Sequence, residues 1–389
     1  MKKQLLKICI VTGSRAEYGL FYPLLKLLKK DKQIQLQLIV TGMHLSPEFG
    51  LTWKQVVLDG FTINEKVDML LSSDTDAGIT KSTGIGIMGM ADAIEKLQPD
   101  WVVLLGDRFE TFAAAVAAHL AKIPIAHLHG GELTEGATDD AMRHAISKMA
   151  WLHFTSAAPY RKRVIQLGEQ PARVFTTGAI GLDNARQLKL ISKQQLSKQL
   201  GFSINEDTVL VTYHPVTLEK NTAEKQMKKL LEALDAFPEC RIIFTLPNAD
   251  ANGRIIISLI NEYVAVHPQT SCAFTSMGQL RYLSALLYVK AVIGNSSSGI
   301  IEVPYFKKPT VNIGDRQKGR IKAASVIDTG TSTSSIISAI RKAFSPTFIN
   351  KCRKTVNPYG NGNAAGQIIK AIKKAGRPPS IKKSFFDLP

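Results

Sequence analysis

Eighteen residues, His127–His144 (HLHGGELTEGATDDAMRH), hold three His, two Glu, two Asp, one Arg and three Gly. Groups that exchange protons near neutral pH rarely gather this densely in an ordinary solvated loop, so the stretch points to acid–base chemistry. Glu132, Asp139 and His129 are its candidate catalytic groups. His127 and His129, two apart in the sequence, do not make up a persuasive metal-ligand set. Asp107, in Gly106-Asp107-Arg108-Phe109-Glu110, and His214, in Tyr213-His214-Pro215, are further candidates for proton transfer. The proline after His214 favours an extended geometry there. A second kind of chemistry is suggested by Gly294-Asn295-Ser296-Ser297-Ser298-Gly299. Small residues opening a helix let backbone N–H groups approach an anion, and Ser296, Ser297, Ser298 and Gly299 therefore read as a phosphate cradle. The alternative is plain N-capping by serine. Arg15, Arg108, Arg316 and Arg320 are candidate bidentate phosphate partners, with Asn248, Asp250, Asn252 and Glu302 as polar contacts.

These groups need elements to hold them. Lys7–Thr12, Leu36–Thr41, Trp101–Leu105, Ile123–Leu128, Leu152–Thr155 and Val174–Thr176 read as short apolar strands of a buried parallel sheet. Amphipathic helices over Tyr18–Lys30, Phe109–Leu120, Met142–Ala150 and Tyr160–Leu167 alternate with them. The second half repeats the theme, with strands at Val209–Tyr213, Arg241–Leu246, Ala291–Ile293 and Thr310–Ile313. The fold class is thus α/β, two doubly wound Rossmann-like domains. Residues 1–183 carry the acid–base groups and 184–375 the anion-binding turns, with 376–389 as a loosely held tail. Every candidate turn follows the carboxyl end of a strand, so all are expected to line one interdomain cleft.

Composition excludes several classes. The chain has 389 residues, 45% of them hydrophobic, enough for two cores. No apolar run is long enough for a membrane span, and the opening MKKQLLKICIVTG flows into a Gly-Ser-Arg turn, not a cleavage site. The four cysteines are scattered without C-x-x-C spacing, which fits reduced thiols and a cytoplasmic protein. The net charge of +17 fits an anionic substrate; no basic run is interleaved with aromatics as a nucleic-acid binder requires. Gly84-Ile85-Gly86-Ile87-Met88-Gly89 matches G-x-G-x-x-G but follows a polar loop, not a strand, so no nicotinamide cofactor is expected. No metal and no other cofactor is expected either.

Taken together, GSRAEYG, TGMHLSPEFG, GDRFE, HLHGGELTEGATDDAMRH, TYHPVT, LPNADANG, GNSSSGIIEV and NIGDRQKGR resemble the hydrolysing UDP-N-acetylglucosamine 2-epimerases, of the bacterial sialic-acid and legionaminic-acid pathway type. The resemblance runs in order from about Lys7 to beyond Arg320. It implies a glycosyltransferase-B-like fold whose last helix returns to the first domain. It also implies a reaction: anti elimination of UDP through a 2-acetamidoglucal, then hydration to UDP and N-acetylmannosamine, for sialic-type acids of capsule or surface polysaccharide. No metal or nicotinamide takes part, and members are dimers or tetramers. Position by position, Asp107, Asp139 and His214 fall on catalytic positions, and Arg15, Ser297, Ser298, Glu302, Arg316 and Arg320 on nucleotide-side positions. One departure stands out. Many members carry Glu where this chain has His129, and Glu132 follows three residues later. Either side chain is then a candidate for the second acid–base. The departure also fits a different substrate, a UDP-linked 2,4-diacetamido-2,4,6-trideoxyhexose. A glycosyltransferase of the same fold is the competing reading.

Overall fold

The computed structural model describes residues 5–73, 75–135, 138–216, 219, 222–247, 253–378 and 380–388. They form two compact units: residues 1–132, 139–184 and 359–389, and residues 133–138 and 185–358. Asn248, Asp250 and Asn252 lie outside the described residues.

The first unit is built on a parallel sheet of seven strands in the order β3-β2-β1-β4-β5-β6-β7. These are β1 (Leu6–Thr12), β2 (Ile34–Thr41), β3 (Glu65–Val67), β4 (Trp101–Leu105), β5 (Ile125–Leu128), β6 (Leu152–Thr155) and β7 (Val174–Thr176). Its helices are α1 (Arg15–Lys30), α2 (Trp53–Leu58), α3 (Asp76–Leu97), α4 (Phe109–Leu120), α5 (Asp139–Met149) and α6 (Ala158–Gln166). Strand residues alternate between two buried faces. Ile8, Ile10 and Val103 pack with α1, whereas Cys9, Val11 and Val102 pack with α3 and α4. That two-sided burial explains why the strands read as unbroken apolar runs. The glycines of the G-x-G-x-x-G match lie in the middle of α3, where Gly86 and Gly89 let Met69 and Val67 approach the helix. No phosphate-binding turn is formed there.

Helix α7 (Gly181–Gln187) carries the division between the units. The second unit adds α8 (Lys193–Leu200) and a parallel sheet of six strands in the order β10-β9-β8-β11-β12-β13. Its strands are β8 (Thr208–Thr212), β9 (Arg241–Thr245), β10 (Ser271–Phe274), β11 (Ala291–Gly294), β12 (Thr310–Ile313) and β13 (Val326–Thr329). Helices α9 (Ala223–Asp235), α10 (Gly253–Val266), α11 (Gln279–Tyr288), α12 (Ser297–Ile301), α13 (Thr333–Phe344) and α14 (Pro346–Arg353) complete it.

The last helix, α15 (Ala364–Ala375), belongs to the first unit. Ile368, Ile369 and Ile372 share its buried face and join the core of Phe21, Leu24, Leu25 and Leu28. Its first turn is anchored by Asp183, whose two carboxylate oxygens accept the N–H groups of Ala364 and Ala365, each at 2.8 Å. Trp101 Nε1 donates to the carbonyl of Gly376 at 2.7 Å just past its end. Ser380–Leu388, expected to be loose, instead lies against the first unit. Lys383 makes three hydrogen bonds to it, and a fully satisfied ammonium holds an otherwise irregular segment. No described helix is long and apolar enough to cross a membrane.

Candidate active site

In the first unit the site grows from the turns after β4 and β5. Asp107 follows Gly106 at the end of β4, and α4 begins two residues later. Arg108, not Asp107, occupies the N-cap of α4 and makes no side-chain cap bond. The Asp107 carboxylate instead accepts a hydrogen bond from Arg143 of α5, a guanidinium only 2% exposed. Arg143 lies one helical turn beyond Asp139, so the residue that holds Asp107 and the second candidate carboxylate share one face of α5. Asp139 and Asp140 open that helix, where negative charge is favoured by the macrodipole. Asp140 also lies 3.9 Å from Arg143 and 3.5 Å from His144.

His127 fixes the same turn from beneath. It is fully buried on β5; its Nε2 lies 2.7 Å from the Gly106 carbonyl and its Nδ1 3.1 Å from Ser147 Oγ of α5. A carbonyl only accepts, so the proton sits on Nε2 and Nδ1 accepts from the serine. Burial holds the imidazole neutral, pulling its pKa down to about 3. His127 thus ties the turn bearing Asp107 to the last turn of α5.

His129 does not continue the strand. Its φ of +64° is the left-handed conformation, which turns its side chain out of the alternation expected from β5. Its Nε2 accepts the N–H of Ile180 at 3.3 Å, which leaves the proton on Nδ1, 3.0 Å from Glu132 Oε1. Glu132, 1% exposed, also accepts from Ser156 Oγ at 2.6 Å. His129 and Glu132 are therefore brought together, and both imidazole nitrogens of His129 are committed.

Two more carboxylates lie under the turn after β1. Glu110 is 1% exposed and pairs with Arg108 at 3.1 and 3.3 Å. Glu17 accepts the N–H of Gly13 at 2.5 Å and the hydroxyl of Thr111 at 3.3 Å. Burial outweighs those bonds and raises its pKa to about 7. Arg15, half-buried, starts α1 beside it.

In the second unit the hub is Asn295, fully buried after β11. Its Oδ1 accepts the N–H of His214 at 2.7 Å, and its Nδ2 donates to the His214 carbonyl at 2.8 Å. Its own carbonyl accepts from Arg316 at 3.2 Å and Gln317 at 2.8 Å. Gly294 before it is required: its φ is +134° and a Cβ there would lie 1.9 Å from the Thr212 carbonyl. Ser296 caps the short α12, accepting from Ser298 N at 3.4 Å, and Tyr282 is hydrogen-bonded to Ser298. Ser297 and Ser298 are half-buried, whereas Gly299 and Glu302 are buried. Arg320 donates to the Leu133 carbonyl at 3.2 Å and to Thr134 at 3.3 Å, in the loop segment that belongs to this unit. Among the described residues no group of three or more His, Cys, Asp or Glu is placed to hold a metal ion.

Arg143, Asn295, Gln317 and Ser156 were not singled out from the sequence. For Arg143 a signal existed, its i+4 spacing from Asp139. For Asn295 and Ser156 none did, because their partners are distant in sequence.

Comparison with known proteins places these residues in context. The family model described as UDP-N-acetylglucosamine 2-epimerase matches residues 26–373. The chain is 42% identical over 383 residues to the GDP/UDP-N,N'-diacetylbacillosamine 2-epimerase (hydrolyzing) of Campylobacter jejuni, covering 98% of this chain and 99% of the relative. It is 38% identical over 388 residues to polysialic acid biosynthesis protein P7 of Escherichia coli, covering 98% of each. The UDP-N,N'-diacetylbacillosamine 2-epimerase (hydrolyzing) of Legionella pneumophila is 35% identical over 367 residues, with 94% and 95% covered. In fold, the chain is similar to the UDP-GlcNAc 2-epimerase of Neisseria meningitidis solved with UDP-GlcNAc, at a TM-score of 0.79 and 20% identity over 95% of this chain and all of that one.

Proposed function

Since this chain belongs to the UDP-N-acetylglucosamine 2-epimerase family, we propose that it is a hydrolysing 2-epimerase that releases UDP and a free 2-acetamido sugar inverted at C2. A base takes the C2 proton while the C1–O bond to UDP breaks, and the electron pair becomes the C1=C2 double bond of a glycal. Water then adds across that bond, its oxygen to C1 and a proton to the other face of C2. The observation that carries this reading is the grouping of Asp107, Arg143 and Asp139 around α5. Two carboxylates held by one helix suit paired proton transfers. Asp107 and Asp139 are the groups we assign to C2. His129 and Glu132, hydrogen-bonded to each other and to Ile180 and Ser156, shape the loop.

His214, oriented by Asn295, serves departure of the diphosphate. Arg15, Arg108, Arg316, Arg320, Glu302 and Ser296–Gly299 serve the nucleotide, with Asn248, Asp250 and Asn252. Backbone N–H groups and guanidinium charge are suited to a diphosphate.

For the sugar we favour UDP-N,N'-diacetylbacillosamine over UDP-N-acetylglucosamine, which the sequence alone put first. The relatives at 42% and 35% identity carry the former name. The departure at His129, where many members of the family carry Glu, fits a different sugar. The family description keeps UDP-N-acetylglucosamine as the second reading. The test is to incubate both UDP-sugars with the enzyme in deuterated water and identify the released sugar by NMR. One deuterium at C2 of the inverted sugar is expected, with faster release from the diacetamido substrate. UDP release without label removes the C2-proton mechanism, and release that depends on an added acceptor makes the protein a glycosyltransferase.

A further inference from the structure

The catalytic-side helix α5 has a second end. Its C-terminal carbonyls lack intrahelical partners, as at every helix end. Lys383, from the irregular segment Ser380–Leu388, takes them: Nζ donates to the Lys148 carbonyl at 2.6 Å and the Ala150 carbonyl at 2.7 Å. Its third hydrogen goes to Glu169 Oε2 at 2.7 Å. All three donors of the ammonium are used, and the positive charge sits where the helix dipole is negative.

Glu169 is the other half of the clamp. It is 1% exposed, between β6 and β7 in the chain, and also meets His153 Nε2 at 3.1 Å and Lys148 Nζ of α5 at 2.8 Å. The segment is fastened again just after Lys383. Phe386 N–H donates to the Gly168 carbonyl at 2.9 Å, and Gln170 donates to Ser384 Oγ at 3.0 Å. Phe385 lies flush on Gly168, where a Cβ would come within 2.3 Å of the ring. None of these residues is used by the reaction as proposed above.

Helix α5 is the element on which that reaction depends. Its N-terminus bears Asp139, its next turn Arg143 that holds Asp107, and its third turn Ser147 that engages His127. At about 1.5 Å per residue it is a rod of roughly 16 Å, so its far end governs where its near end points. We propose that Lys383 is a positioning residue: by closing the C-terminal end of α5 against Glu169 it sets Asp139 and the Arg143–Asp107 pair in register for proton transfer. The inference rests on the 2-epimerase reading for its chemistry, but the hold on α5 is a property of the first unit alone.

The test compares wild type, Lys383→Met and Lys383→Arg in the full chain, by steady-state kinetics and by amide hydrogen exchange. Lys383→Met is expected to lower kcat about tenfold, since small misplacements of reacting groups are costly, with KM for the UDP-sugar within about twofold. Peptides covering 139–150 should exchange several-fold faster, and those covering β1 and β4 should not change. Lys383→Arg, which keeps the charge and the donors, should return kcat to within about threefold of wild type. An unchanged kcat in Lys383→Met overturns the proposal. So does a loss shared by kcat and KM with faster exchange throughout the first unit, which would make Lys383 a residue of general stability. If wild type releases UDP from neither sugar, the functional reading has failed, and exchange decides the hold by itself. Faster exchange confined to α5 then upholds it, and unchanged exchange ends it.

Discussion

His129 Nδ1 and Glu132 Oε1 stand 3.0 Å apart, with Ile180 N–H on the other imidazole nitrogen and Ser156 Oγ on the same carboxylate oxygen. The pair has the geometry of a brace. Removing the carboxylate leaves the His129 N–H and the Ser156 hydroxyl buried without an acceptor. Glu132→Ala is therefore expected to destabilise the protein by about 2–3 kcal/mol, read from the urea midpoint. Glu132→Gln, which keeps one acceptor oxygen, should cost less than half as much. Equal losses in the two variants would argue against the brace.

Asp107 is held by Arg143 directly, and its turn is held by His127 through Gly106. Asp107→Asn keeps a hydrogen-bond acceptor for Arg143 but cannot take a proton. Its kcat should fall by roughly 10²–10⁴, the usual worth of a general acid or base, with an unaltered far-UV spectrum and melting temperature. His214→Ala should likewise lose most turnover while folding. Near-normal turnover in either variant would take that residue out of the mechanism.

Asn295 joins His214 to Arg316 and Gln317. In Asn295→Asp the oxygen that accepts from His214 N–H survives, but the donor to the His214 carbonyl becomes a second acceptor. A buried carboxylate then faces a carbonyl oxygen. A loss of about 1–3 kcal/mol in stability is expected, together with weaker UDP binding by isothermal titration. Wild-type affinity for UDP in this variant would separate the hub from the nucleotide.

Glu17 carries a pH signature opposite to that of a salt-bridged acid. Its folded-state pKa is raised to about 7 from 4.5, chiefly by burial. Between those values the folded protein holds a proton that the unfolded chain releases, so this group's contribution to stability falls as pH rises from 4.5 to 7. Glu17→Gln removes that dependence. The stability of the variant minus that of wild type should grow across this interval, by on the order of 3 kcal/mol at most, and level off above pH 7. Denaturation midpoints of both proteins at pH 5, 6, 7 and 8 would check it; a flat difference would mean that Glu17 is ionised throughout.

Much of this was legible in the chain because parallel strands buried on both faces are predominantly apolar. β1, β4 and β11 announce themselves in KICIVT, WVVLL and AVIG. The short strands β3, β10 and β13 did not, since three or four residues at a sheet's edge are shaped by neighbours and not by their own pattern. The site divides in the same way. Asp107, Asp139 and His214 were marked by their place at strand ends or helix starts. Asn295 was hidden, because an amide side chain acquires its role only from the backbone 81 residues away that it clamps. His129 was placed on the wrong course because nothing in a sequence signals a positive φ at a residue other than glycine. Arg320 was read as a nucleotide-side residue, and its hydrogen bonds to Leu133 and Thr134, some 190 residues away, have no signal in the sequence.

The return of α15 to the first unit has a consequence for biosynthesis. As the chain leaves the ribosome, β1 to β7 are complete long before Ala364–Ala375 has been made. During that interval the apolar stripe of Phe21, Leu24, Leu25 and Leu28 has no helix to cover it. Residues 185–358 therefore emerge, and can close their own core, while the earlier unit still waits for its final piece. The half made first is thus the half finished last, and it is the one exposed to chaperones and to premature association for the longer time.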